Sequence, residues 1–112
     1  MDTKRILVSN ELRSYGEAVS VALRVLCPNA AVFEVEHRYL TREVRRLRPD
    51  LVVCSRATEV VREQVASWVE LYPDCGSLSE VCLDGECSTV DDLQLSDLLD
   101  IVRAPQRAAS TG

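Results

Sequence analysis

The chain has 112 residues, 46% hydrophobic and 28% charged, the proportions of an ordinary globular protein with room for one core. Thirteen basic residues against 18 acidic ones leave a net charge of −5, which disfavours non-specific binding to nucleic acid or to an anionic membrane. No apolar run approaches the roughly 20 residues of a bilayer span, and Met1-Asp2-Thr3-Lys4-Arg5 leads straight into a strand-like segment instead of a signal peptide, so a cytoplasmic location is expected.

The first element is Arg5-Ile6-Leu7-Val8, an apolar run that stops at Ser9-Asn10-Glu11 and reads as a buried strand ending in a polar loop. Ser14 and Glu17 have the spacing of a capping box, and Tyr15, Val19, Ala22, Leu23 and Leu26 recur on one face of the helix behind them. Pro28-Asn29 ends that helix. Val32-Phe33 and Val35 favour a second strand within residues 31–36. Leu40, Val44 and Leu47 then suit a short one-sided helix, closed by Pro49 because the residue before a proline is pushed out of the helical region. Leu51-Val52-Val53-Cys54 is a third strand, apolar throughout, as a parallel strand covered on both faces should be. Alternating strands and helices over about 50 residues are the rhythm of right-handed βαβ units.

After Ser55 two readings stay open. Thr58 caps a helix carrying Val60, Val61, Gln64 and Val65, followed by a fourth strand at Trp68-Val69-Glu70-Leu71-Tyr72; alternatively the helix continues to Leu71. The first is preferred, with Pro73-Asp74-Cys75-Gly76 as the turn that follows. Asp84-Gly85 between two strand-like runs signals a two-residue hairpin and two antiparallel strands at the sheet edge. Leu95, Leu98, Leu99 and Val102 form a final amphipathic helix, with Asp91 or Ser96 as its cap. Residues 104–112 read as a disordered tail after a single domain of residues 1–103. The expected architecture is α/β: a three-layer wound sheet, mostly parallel, with a C-terminal antiparallel hairpin edge and a final helix.

The segment Arg48-Pro49-Asp50-Leu51-Val52-Val53-Cys54-Ser55 resembles the stretch entering the third strand of bacterial response-regulator receiver domains. Arg5-Ile6-Leu7-Val8-Ser9-Asn10-Glu11 is similar to that family's first strand and acidic loop, and Leu95-Ser96-Asp97-Leu98-Leu99-Asp100-Ile101-Val102 to its last helix. The resemblance is close over the first half of the chain and implies a flavodoxin-like sheet. Active receivers hold Mg²⁺ on two carboxylates after the first strand and accept phosphate on an aspartate ending the third. Those positions carry Ser9, Asn10 and Ser55 here. Mg²⁺ needs hard anionic ligands, and it must neutralise charge on the transferred phosphoryl group. A serine without an adjacent base is a poor replacement for the aspartate. The hairpin also stands where a receiver has its fourth helix, and no lysine follows Lys4. The resemblance therefore implies a degenerate receiver lacking the phosphoacceptor.

Wound α/β domains bind ligands at the carboxyl ends of their strands, which makes Ser9, Asn10, Glu11, Ser55 and Arg56 the ligand-binding candidates. The competing expectation is that these residues cap helices and satisfy loop backbone. With no Gly-rich phosphate loop, a dinucleotide or nucleoside triphosphate is disfavoured.

Five cysteines without a secretion signal point to reduced thiols, mostly buried. One histidine and no CxxC pair argue against a metal site, and no cofactor is expected. Cys54 beside Arg56 raises the idea of a reactive thiol, with His37 as a conceivable partner, against the plainer reading of a core residue. Cys82 and Cys87 should oppose each other across the hairpin, as a redox pair or, by default, as reduced packing neighbours.

Arg38, Arg42 and Arg45 share one helical face, either as a docking surface or as a solvated face paired with Glu34, Glu36 or Glu43. Trp68 and Tyr72 are candidates for a protein interface if their side of the strand is exposed, and core residues if the last helix covers it. Together these features lead to the expectation of a non-catalytic regulatory or protein-interaction module. Its partner would be another protein or a second copy paired through the hairpin edge. A small polar-ligand binder or enzyme and a thiol redox protein are the alternatives.

Overall fold

A computed structural model of the protein describes residues 4–71 and 78–103. The strands are β1 (Arg5–Ser9), β2 (Ala31–Glu34), β3 (Leu51–Cys54), β4 (Trp68–Glu70), β5 (Leu78–Leu83) and β6 (Glu86–Asp91). The helices are α1 (Arg13–Leu26), α2 (Leu40–Leu47), α3 (Glu59–Gln64) and α4 (Leu95–Arg103), with a 3-10 turn at His37–Tyr39 ahead of α2. The strands form one sheet in the order β2-β1-β3-β4-β5-β6. The first four are parallel, and β5 and β6 add antiparallel to β4. The α/β class, the parallel core, the antiparallel end and the final helix all match the expectation from sequence.

Side-chain alternation along the strands divides the core into two layers. Ile6, Val8, Leu51, Val53 and Val69 face one way and pack with Val19 and Leu23 of α1 and Leu98 and Val102 of α4. Leu7, Val52, Cys54 and Trp68 face the other way, against Leu40 and Val44 of α2 and Val61 of α3. Strands covered on both sides must be apolar at every position, and β3 is buried along its whole length.

Helix α1 starts differently from the expected capping box. Its N-cap is Leu12, with Ser14 already inside the helix, and no side chain caps it. Asn10 instead accepts a hydrogen bond from the Leu12 N–H at 2.8 Å, while Glu17 pairs with Arg13 at 3.2 Å. The loop asparagine turns the chain two residues earlier than the Ser14 signal implies. The buried face is correspondingly rotated to Gly16, Val19, Ser20 and Leu23, leaving Tyr15 and Leu26 about 40% exposed. Gly16 belongs to this close packing, since a Cβ there would lie 3.2 Å from Asn10 Cβ.

Further along, Thr58 caps α3 as its side chain implies, accepting from Val61 N–H at 3.3 Å. The open question at 67–72 resolves to a strand at Trp68–Glu70, so the chain leaves α3 after a short crossover. The start of α4 is held by Asp97, which accepts from Gln94 N–H at 2.8 Å, in place of the expected Asp91 or Ser96 cap. At the hairpin, Asp84 and Gly85 both take positive φ, 52° and 88°, the conformation a two-residue turn of this kind requires. The turn is tied inward by Gly85 N–H to Ala66 O and by Asp84 N–H to Ser67 Oγ, both at 3.1 Å. Among the described residues no helix is long and apolar enough to cross a membrane. The turn expected at Pro73-Asp74-Cys75-Gly76 and the expected tail at 104–112 lie outside the described residues.

Candidate functional site at the carboxyl ends of the strands

The strand order reverses direction between β1 and β3, on either side of which the chain winds outward, and this switch point is where a wound sheet opens a crevice. The polar residues expected there are present but engaged with one another. Ser55 Oγ accepts from Glu11 N–H at 2.9 Å, and Ser55 N–H extends the ladder to Ser9 O at 3.1 Å. The Arg56 guanidinium lies 3.8 Å from the Glu11 carboxylate, and Asn10 is held in its turn with Leu12. Ser9 is fully buried, so it lines no crevice. Loop satisfaction, the competing expectation, describes the hydrogen bonds of Asn10 and Ser55.

The open space lies one strand over. A cleft of about 800 Å³ between the ends of β1 and β2 is lined by Asn10, Glu11, Arg13, Glu17, Glu34 and His37, among others. Of the five ligand-binding candidates only Asn10 and Glu11 reach it. Its carboxylates are partly matched by arginines, Arg13 to Glu17 and Arg38 to Glu36 at 3.4 Å.

Cys54 is a core residue. Burial, followed by the nearby Glu70 carboxylate, pushes its thiol up to about 12. That outweighs any assistance from Arg56, and the thiolate form is suppressed at neutral pH. His37 cannot serve as a partner, because β1 lies between the two strands and separates them by about 10 Å. In the folded protein Cys54 should therefore resist iodoacetamide at pH 8 while reacting fully once unfolded. Native alkylation followed by peptide mapping checks this.

One charged cluster escaped the sequence reading. Glu70, in the middle of the sheet on β4, is buried, and its Oε2 accepts from Ala57 N–H at 2.8 Å. Arg62 of α3 reaches over it, 3.5 Å from both Glu70 and Glu80, with its guanidinium 4.8 Å above the Trp68 ring. The only signal in the sequence was a carboxylate inside a strand-like run, which a buried strand tolerates when the charge is paired.

The proposed interface residues separate. Trp68 is only 4% exposed, packed in the core beneath α3 and Arg62, so the exposure on which its interface role depended is absent; the helix that covers it is α3, not the last one. Tyr72 lies outside the described residues. Arg38 sits in the 3-10 turn and Arg42 in α2, both stacked on the Tyr39 ring at 4.8 and 4.6 Å. Arg38 pairs with Glu36, and Arg42 and Arg46 pair with Glu43, holding its carboxyl below the usual range chiefly through the Arg46 hydrogen bond. Arg45 is exposed beside Arg48 at the far end of α2. The solvated, glutamate-paired arrangement thus holds for Arg38 and Arg42.

Cys82 and Cys87 stand directly opposite each other, as expected, and are joined by a disulfide, which corrects the default of a reduced pair. Glu80, Cys82 and Cys87 also group their donor atoms within 4.8 Å, but the sulfur–sulfur bond occupies two of those three donors. The chain matches no protein-family model, no curated protein and no solved structure, so its functional reading rests on this geometry alone.

Proposed function

We propose that the protein is a non-catalytic regulatory or protein-interaction module, a receiver-like sheet without receiver chemistry. The observation that carries this reading is the engagement of Ser55 Oγ by Glu11 N–H at the end of β3. The hydroxyl standing where a phosphoacceptor carboxylate would be is serving as a loop fastener. Ser9 and Asn10 add no charge to hold a divalent ion, and Glu11 is paired with Arg56. The sheet order beginning β2-β1-β3-β4 is compatible with a receiver-like origin.

An interaction module needs surface to offer, and two parts of the molecule supply it. Among the described residues strand β6 is the outer strand at one end of the sheet, the kind of edge that can pair its backbone with a second copy. Leu12, Val21 and Val25, on or beside α1, are exposed by 56–70%.

Two measurements test the reading. Incubation with acetyl phosphate and Mg²⁺ should leave the intact mass unchanged, and light scattering should show concentration-dependent self-association. An acyl-phosphate adduct would overturn the non-catalytic part, and a strict monomer at every concentration would overturn association through the β6 edge.

A further inference from the structure

In a hairpin with a two-residue turn, the residues flanking the turn form a hydrogen-bonded pair, here Leu83 and Glu86. The next pair outward, Cys82 and Cys87, therefore occupies a non-hydrogen-bonded site, the kind in which opposed side chains come closest. Their Cα atoms are 3.9 Å apart and their sulfurs are bonded.

The two half-cystines have unlike surroundings. Cys82 is buried in the core layer with Trp68 opposite it on β4. Cys87 is exposed on β6, which among the described residues is the last strand at that end of the sheet. The bond closes a loop with a sequence separation of 5. Stabilisation by a cross-link grows with the loop it closes, so this one adds less to folding than a long-range cross-link would. The hairpin has independent fastenings in its turn conformation and in the bonds from Gly85 to Ala66 and Asp84 to Ser67. It is a bond that can open while the fold stays intact.

We propose that Cys82–Cys87 is a thiol–disulfide exchange site for small thiols of the glutathione class, attacked at Cys87. The inference does not rest on the interaction reading; it concerns the chain with its β6 edge unpaired, since a second copy on that edge would cover the approach to Cys87. Exchange requires a thiolate to approach a sulfur from the side opposite the one that leaves. From Cys87 that direction leads off the sheet edge into solvent. From Cys82 it leads toward Trp68 and the core.

In the first step the incoming thiolate bonds to Cys87 Sγ and the Cys82–Cys87 bond breaks. Cys82 leaves with the electron pair as a thiolate and takes a proton from solvent. In the second step another small thiolate attacks the sulfur of the first in the mixed disulfide. Cys87 departs as a thiolate and is protonated, and the two small thiols leave as their own disulfide. Two protein sulfurs are reduced and two small-molecule sulfurs are oxidised. Glu80 lies within 4.8 Å of both protein sulfurs, and its carboxylate is paired with Arg62 at 3.5 Å.

The test equilibrates the full chain in buffers of graded reduced-to-oxidised glutathione, quenches with acid, alkylates, and maps the cysteines by peptide mass spectrometry. The pair should pass from disulfide to dithiol across the series, with circular dichroism unchanged. Cys82→Ser should collect a glutathione adduct on Cys87, and Cys87→Ser should leave Cys82 modified at least about tenfold more slowly. Because Cys87 is exposed, Cys87→Ser should keep the fold. If Cys82→Ser does not fold, the wild-type titration decides. A pair that stays oxidised even with excess dithiothreitol, one that stays reduced throughout, or loss of the fold on reduction would overturn the proposal. Equal modification of Cys82 and Cys87 in the two variants would overturn the assignment of Cys87 as the attacked sulfur.

Discussion

Trp68→Ala should lower stability by about 3–5 kcal/mol, a large share of the roughly 5–15 kcal/mol that holds an ordinary small domain folded. Trp68 is buried on a central strand, among Val52, Val61 and Cys82, with Arg62 stacked over its ring. Truncation leaves a cavity that short strands held by helices on both faces cannot collapse into. It also removes the cation–π contact, which adds about 0.5–1 kcal/mol at a partly exposed site. Urea denaturation followed by circular dichroism measures the loss. A residue acting through an interface would behave differently: the variant would keep its midpoint and lose only association. A midpoint shift below that of an ordinary surface substitution would contradict the burial assigned to Trp68.

The second large effect is expected at Glu70. Glu70→Ala strips the acceptor from Ala57 N–H in the loop after β3 and leaves Arg62 with one fewer partner. A hydrogen bond to a charged group contributes about 1.5–3 kcal/mol, and an orphaned buried N–H adds its own desolvation cost. A loss of roughly 2–4 kcal/mol follows. Glu70→Gln keeps an oxygen for Ala57 N–H and should recover about half of it. Arg62→Ala alone should cost less, because its side chain is 45% exposed and its ion pairs are partly screened by solvent. A double-mutant cycle over Glu70 and Arg62, read in urea midpoints, separates the backbone bond from the ion pair. Equal losses for Glu70→Ala and Glu70→Gln would mean that Ala57 N–H is not the main partner.

These two residues also mark where reading the chain reached its limit. Both lie in a segment whose composition fits a strand or the end of a helix, and three residues are too few for periodicity to decide. What placed β4 was its pairing, to β3 on one side and to β5 on the other. Once it is a strand, alternation puts Trp68 and Glu70 on the same face, and α3 covers that face. The pairing of Glu70 with Ala57 spans 13 residues and depends on the loop after β3 coming back over β4. No local pattern carries that information.

The candidate site divides in the same way. That Ser9, Asn10 and Ser55 stand at the ends of β1 and β3 was legible from where two apolar runs stop. That Ser55 is occupied by Glu11 N–H, and that Ser9 is buried, depends on distances between segments more than 40 residues apart. The cleft lies on the β1–β2 side, whereas on the β1–β3 side Arg56 is paired with Glu11 and Ser55 with the Glu11 N–H.

By itself the sequence determined the first three strands, the helices between them, the hairpin turn and the opposition of Cys82 to Cys87. It could do so because apolar runs, helical spacing and the left-handed preference of Asp-Gly are properties of neighbouring residues. The tertiary structure decided the rotation of α1, the burial of Trp68, the charge cluster around Glu70 and the bonding of the two sulfurs. Each of these turns on which surface another element covers, or on how closely two separated backbones approach, and neither quantity is encoded in the order of adjacent side chains.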